Sequence, residues 1–185
     1  MLAFLFVCFR RAAYLLRGYM YSRIIRSGGG SVGRRLRVEA GLILRQAPHA
    51  GYVLGDDIFI GQGSCFDVDP GAELEIGDGV TFAKNVFVSA VAKVSIGHYT
   101  LIGENCSIRD ANHGIIGGVA RICEQPMIGR GVGIGPDVWI GCGVAVLAGS
   151  SIGEGCVIGA NAVVRGEVAP RSVAVGIPAR IVRRR

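Results

Sequence analysis

The run "IGRGVGIGPDVWIGCGVAVLAGSSIGEGCVIGANAVV", residues 128–164, places an aliphatic residue at every sixth position: Ile128, Ile134, Ile140, Val146, Ile152, Ile158 and Val164. Glycine follows directly after five of the seven. A period of six is neither the 3.6 of a helix nor the two of an amphipathic strand. It is the hexapeptide period of a parallel β-helix, in which each hexad makes one short strand and one corner. Three such strands close a triangular coil of about 18 residues, with the aliphatic side chain pointing into the prism. Each stacked coil adds about 4.8 Å, so about six coils give a prism somewhat under 30 Å long.

Working outward, an earlier array runs Leu54, Ile60, Phe66, then Ile76, Phe82, Val88. A slip at Ala90-Val91 introduces Ile96, Ile102 and Ile108. The beat then stops for "RDANHGIIGGVARICEQP", residues 109–126, which holds His113, one of the chain's three histidines. A regular prism has flat walls, and chemistry needs a concave pocket. Residues 109–127 are therefore expected to leave the prism, with His113 at the base of the excursion. Two readings of His113 stand open on the residues alone: a general base, or a polar residue in a turn-favouring Asn-His-Gly. His98 is expected at a surface corner, and His49, beside Pro48, in a loop.

Half of the 185 residues are apolar and 18% are charged, which suits one folded domain with a sizeable core. The 30 glycines have no three-residue period, so collagen is excluded. The net charge of +6 is uneven. Residues 1–45 carry nine arginines against the single Glu39, and the chain ends Arg183-Arg184-Arg185. No groove-reading helix or aromatic-basic RNA signature accompanies this charge, which disfavours nucleic acid. The six cysteines form no CxxC pair, and they read as reduced, buried thiols of a cytoplasmic protein.

The opening "MLAFLFVCFRRAAYLLRGYMYSRIIRSGGG" differs in kind. Its apolar run is shorter than the ~20 residues of a bilayer span, and its positive charge follows that run, unlike a secretory signal. A basic amphipathic helix is expected, ended by Ser27-Gly28-Gly29-Gly30. Leu2, Leu5, Phe6, Phe9, Ala13, Leu16 and Met20 would share one face. That face either lies in a membrane interface through residues 1–26 or packs against protein.

The stretch 126–183 closely resembles the hexapeptide-repeat acyltransferases, including galactoside, maltose and xenobiotic acetyltransferases and exopolysaccharide O-acetyltransferases. "VWIG", "GANAVV" and "GIPAR" carry the likeness, which extends over about residues 50–183. The resemblance implies an all-β, left-handed parallel β-helix and a homotrimer with active sites between neighbouring prisms. It also implies acetyl-CoA as donor and no covalent acyl-enzyme. His113 falls where the family has its catalytic histidine, and the backbone N–H of Cys142 where it stabilises the oxyanion. Trp139, Cys142, Ala160, Arg165, Arg180 and Arg183 match the coenzyme contacts, and Asn85 the acceptor region. The family's histidine-rich continuation is absent here, leaving Asp110, Glu124 or a backbone carbonyl to orient His113.

The expected organisation is a helix and glycine linker over 1–30, the β-helix over 31–182 and a basic tail over 183–185. The expected activity is acetyl-CoA-dependent O-acetylation of a sugar or polysaccharide precursor. The alternatives are N-acetylation of an amino sugar or antibiotic, and a non-catalytic β-helix scaffold. A zinc enzyme on the same fold needs three converging histidines, and His49, His98 and His113 lack that spacing, so no metal is expected.

Overall fold

The computed structural model describes residues 2–117 and 121–185. Parallel strands stack in register into three walls. Wall A has seven strands, from Ser31–Val32 to Glu167–Val168. Wall B has seven parallel strands, from Arg37–Val38 to Ser172–Val175, and wall C has six, from Ile43–Leu44 to Val163–Val164. The chain visits A, B and C in turn, making a left-handed parallel β-helix of about six turns.

The hexad fills its centre. Ile134, Ile140 and Val146 of one coil lie opposite Ile152, Ile158 and Val164 of the next, each at most 3% exposed. Truncating one such residue to alanine would cost about 2–5 kcal/mol. At the corner between walls B and C, residues Gly63, Asn85, Asn105, Gly143 and Asn161 all take φ between 57° and 71°. Glycine takes this conformation freely, and asparagine is enriched in it among the other residues. The 18-residue coil holds only late in the chain, where Ser151 lies opposite Gly133. Early coils are longer: Val53 lies opposite Ser31, 22 residues on, and Lys93 opposite Glu73, 20 residues on.

In the first coil the N–H groups of Gly33, Arg37 and Ile43 donate to Leu54, Ile58 and Ser64 of the second. A trans peptide points its C=O opposite to its N–H, so the carbonyls of Val32, Leu36 and Leu42 face the open end. Helix α1 (Leu2–Ser27) meets all three. Arg26 donates to Val32 O and the Tyr21 hydroxyl donates to Leu42 O at 2.6 Å. Gly18 presses on Leu36 O so closely that a Cβ there would stand 1.7 Å from the oxygen. The helix therefore caps an exposed β-edge.

Its packed face is not the apolar face read from the sequence, which does not pack against this prism. Gly18, Ser22 and Ile25 are buried, whereas Leu5, Phe9, Leu16 and Met20 are 55–75% exposed. The side chains of Leu2 and Phe6 lie outside the described residues. Reaching backbone carbonyls demands small or hydrogen-bonding residues, which turns the large aliphatic face outward.

The far end closes differently. Arg180–Arg184 pairs antiparallel with Ser172–Val175 at the edge of wall B, and the turn between them bonds both backbone groups of Val163. The basic tail read over 183–185 is thus held in place: Arg183 and Arg184 belong to a strand, and Arg185 binds the Asp137 carboxylate at 2.8 Å. The cysteines also depart from expectation. Cys106 and Cys156 are buried with their thiols on carbonyls of Gly141 and Ala169, but Cys8, Cys123 and Cys142 are exposed.

The excursion leaves at the corner between walls C and A. Ala111–His113 and Met127–Gly129 form an antiparallel ribbon, and the prism resumes at Val132–Ile134. Ile128, first in the hexad count, is therefore not a core residue. It pairs with Asn112 and is 47% exposed. Residues 118–120 of the excursion lie outside the described residues. At the ribbon's root, Asp110 is fully buried, and its carboxylate accepts from the N–H groups of Val91, Ala92 and Lys93 at 2.7–2.8 Å. The register slip read at Ala90-Val91 is the corner that this carboxylate holds.

Asp110→Ala would strand three amides, at about 1 kcal/mol or more each. The expected loss is about 3 kcal/mol, a fall in Tm of about 6–12 °C by calorimetry for a domain of this size. Tyr52 is fully buried, and its hydroxyl has no hydrogen-bond partner among the described residues. Burial, then Asp67 and Cys65, push its pKa up to about 12. The unfolded phenol ionises near 10, so stability present below pH 10 drains away as pH rises toward 12, by about 2–3 kcal/mol. Tyr52→Phe should keep or raise stability at pH 7 and flatten that alkaline loss in denaturant titrations.

Candidate active site

Two edges of the prism carry the residues singled out from the sequence. The first is the corner between walls C and A, where His113 ends the first strand of the ribbon and is exposed. Its backbone is fixed on both sides. Asp110 N donates to Ser89 O, Arg130 N to Asp110 O, and Gly114 N to Pro126 O at 3.0 Å. Beyond it, the Gln125 carboxamide bonds both the N–H and the C=O of Ile116. The imidazole itself makes no hydrogen bond among the described residues. Neither carboxylate expected to orient it does so. Asp110 is spent on the corner amides, and Glu124 bonds the backbone N–H of Arg121. Arg165 occupies the same C–A corner two coils further along and is exposed.

The second edge is the B–C corner with the adjoining face of wall B. Trp139, 57% exposed, points outward between Leu101 and Val157 of the neighbouring coils. Cys142 follows at the corner, and Ala160 sits one coil further on. Glycines allow this stacking: a Cβ on Gly103 would stand 2.6 Å from Cys142 N, and one on Gly141 would stand 2.7 Å from Ala160 N. The amides of Cys142 and Ala160 donate to no group among the described residues, while Cys142 O accepts from Asn161 N at 2.8 Å. A short ladder of free N–H donors therefore runs up this corner, suited to oxygen acceptors on a ligand. Wall B ends in Arg180–Arg184, which places Arg180 and Arg183, both exposed, beyond Ala160 in the same direction. From Trp139 to Arg183 is three strand steps, about 14 Å.

Asn85 belongs to this second edge, two coils before Cys142. It is a positive-φ corner residue whose Nδ2 donates to Asn105 Oδ1 at 3.2 Å. The other histidines serve the scaffold. His98 Nδ1 accepts from Asp78 N at 2.9 Å, and His49 Nδ1 from Gly51 N at 3.1 Å. Among the described residues no cluster of three or more His, Cys, Asp or Glu could hold a metal ion.

Within one chain wall C separates the two edges, so His113 and the Cys142 amide do not meet. Sequence reading missed Asp110 as the anchor of the excursion and Gln125 as the brace of its tip. A carboxylate two residues after Ile108, where the beat stops, was the available signal for the first. Nothing local marked the second.

Residues 131–166 match the bacterial transferase hexapeptide (six repeats) family. A Mycobacterium tuberculosis protein named as an acetyltransferase is 36% identical over 112 residues, covering 60% of this chain and 37% of its own length. WbbJ of Escherichia coli K12, named for O-acetyl transfer in lipopolysaccharide biosynthesis, is 32% identical over 137 residues, 70% of each protein. The structure of a hexapeptide-repeat acetyltransferase from Vibrio cholerae O1 biovar eltor, complexed with acetyl coenzyme A, superposes with a TM-score of 0.58 at 32% identity. That superposition covers 70% of this chain and 71% of the Vibrio chain. With the hexads, the coils and these matches in agreement, the chain belongs to the hexapeptide-repeat acyltransferases.

Proposed function

We propose that the chain is an acetyl-CoA-dependent O-acetyltransferase acting on a hydroxyl of a sugar or polysaccharide precursor. The observation that carries this reading is the split site. One edge of each prism offers a base and the other offers free amides leading to arginines, and neither suffices alone. A closed ring of copies, with the C–A edge of one against the B–C edge of the next, completes every site at once. A homotrimer of triangular prisms has that geometry. The E. coli relative's name supports the saccharide acceptor, and the Vibrio complex supports acetyl-CoA as donor.

In this reading the imidazole of His113 takes the acceptor hydroxyl proton as the oxygen attacks the thioester carbonyl. The Cys142 N–H donates to the oxyanion of the tetrahedral intermediate. The carbon–sulfur bond breaks, the proton passes from His113 to the departing thiolate, and an acetyl ester and free coenzyme A leave. Trp139 and the Ala160 amide flank the pantetheine arm. Arg165, Arg180 and Arg183 face the phosphates, where guanidinium forks match pairs of oxygens. Asn85, near the Cys142 corner, contacts the acceptor. The enzyme works on the cytoplasmic side, peripherally associated with the membrane through residues 1–26. Among the described residues no helix is long and apolar enough to cross a membrane.

His113→Ala should lower kcat by about 10²–10⁴-fold while leaving acetyl-CoA affinity unchanged in calorimetry. Unaltered turnover would move the base elsewhere. Cys142→Ala should keep most activity, because only the amide is used. Abolished turnover, together with an acyl-enzyme trapped on the unsubstituted protein, would point instead to a thiol nucleophile. Mass spectrometry of acceptors carrying hydroxyl or amino groups separates O- from N-transfer.

A further inference from the structure

Helix α1 has a second apolar face that the prism does not use. Leu5, Phe9, Leu16 and Met20 recur at i, i+4, i+11 and i+15, a single stripe opposite buried Gly18, Ser22 and Ile25. Each is more than half exposed. Because α1 covers the open carbonyls of the first coil, this stripe is the outer surface of the prism's end. Arg10 and Arg17 flank it and Arg23 lies near its C-terminal end; Arg10 also lies over the Tyr14 ring, 5.6 Å from its centroid. Residues 2–27 hold five arginines and no carboxylate.

Two occupants would bury such a stripe: a second copy, end to end, or a bilayer. A second copy in that arrangement would set arginine against arginine, which opposes association. An anionic bilayer accepts the apolar stripe at its acyl boundary and the guanidinium groups among its phosphates. We infer that α1 docks the prism end-on onto anionic phospholipid, with the coil axis along the membrane normal. This deepens the peripheral association proposed above. In a ring of parallel prisms, three caps share one plane and bind together.

The orientation sets a height, which matters if the transfer reading holds. His113 leaves the fourth coil, three steps or about 14 Å above the first, and the helix adds about 10 Å. The imidazole then stands about 25 Å from the headgroups. Its acceptor would be a saccharide carried several units out from its lipid, and not the sugar next to the bilayer.

Flotation of the full chain with phosphatidylcholine vesicles, with and without phosphatidylglycerol, tests the docking independently of any acetyl transfer. Binding is expected only to the anionic vesicles, and it should weaken with salt. The combined Leu5→Asn, Phe9→Asn, Leu16→Asn and Met20→Asn variant should lose at least tenfold in binding at unchanged sedimentation mass. Arg10→Gln, Arg17→Gln and Arg23→Gln together should lose about a hundredfold. Trp139, the only tryptophan, lies four coil steps from the cap, so brominated lipid should leave its fluorescence unquenched. Equal binding to neutral vesicles, or undiminished flotation of the stripe variant, would overturn the proposal. A changed mass for that variant would make the stripe an interface between copies, and quenched Trp139 would rule out end-on docking.

Discussion

The hydrogen-bond ladder from each coil to the next governs this molecule. Gly33, Arg37 and Ile43 donate toward the second coil, Asp57 and Gly63 of the second donate back to Arg34 and Ala40, and the exchange repeats to the third. In a parallel ladder each strand divides its backbone groups between two neighbours, so each end strand leaves half of its own unpaired. Both ends would therefore present bare carbonyls and bare N–H groups, and either would template further strands. The helix at one end and the folded-back strand at the other answer that single constraint. Each is matched to what it covers: α1 brings donors and a glycine to carbonyls, and Arg180–Arg184 brings a complete strand edge.

The same ladder explains why the candidate base and the free amides sit at the corners. In the middle of a wall every backbone group is committed to a neighbouring coil, and side chains alternate between core and solvent. At a corner the chain turns away from its neighbours, and amides such as those of Cys142 and Ala160 fall outside the ladder. Corners are also where residues can be added without breaking register. The ribbon of the excursion joins at one, while Val94–Ile96 pairs with Val132–Ile134 as though nothing intervened. Insertion needs an anchor, because a buried turn cannot leave polar groups unmet. Asp110 supplies it by gathering three amides of the preceding coil.

The coil and its core were legible because the core repeats: one aliphatic residue per hexad suffices to count walls. That logic failed where hydrogen bonding, not hydrophobicity, chose the arrangement. Ile128 fits the beat in spacing, yet its partner is Asn112 in an antiparallel ribbon, and no periodicity distinguishes a core isoleucine from a ribbon one. His113 stood out as a histidine in a break of rhythm. What surrounds it did not, because Asp110 is spent on the amides of Val91, Ala92 and Lys93 in the preceding coil, and Glu124 on the N–H of Arg121 in its own turn. The placement of His113 and Cys142 on two different edges of the prism is likewise not read from a linear pattern.

The helix shows how one constraint creates another. Its inner face is set by three carbonyls, which select Gly18 for closeness, Tyr21 for its hydroxyl and Arg26 for its reach. None of these supplies much apolar burial, so most of the aliphatic side chain volume of α1 faces away from the protein. A cap needing only edge protection would carry polar residues there, as solvent-facing helix sides do. Phe9 at 75% exposure and Leu16 at 63% are not needed to close the prism. The docking proposed for α1 gives them a use that closing the prism does not.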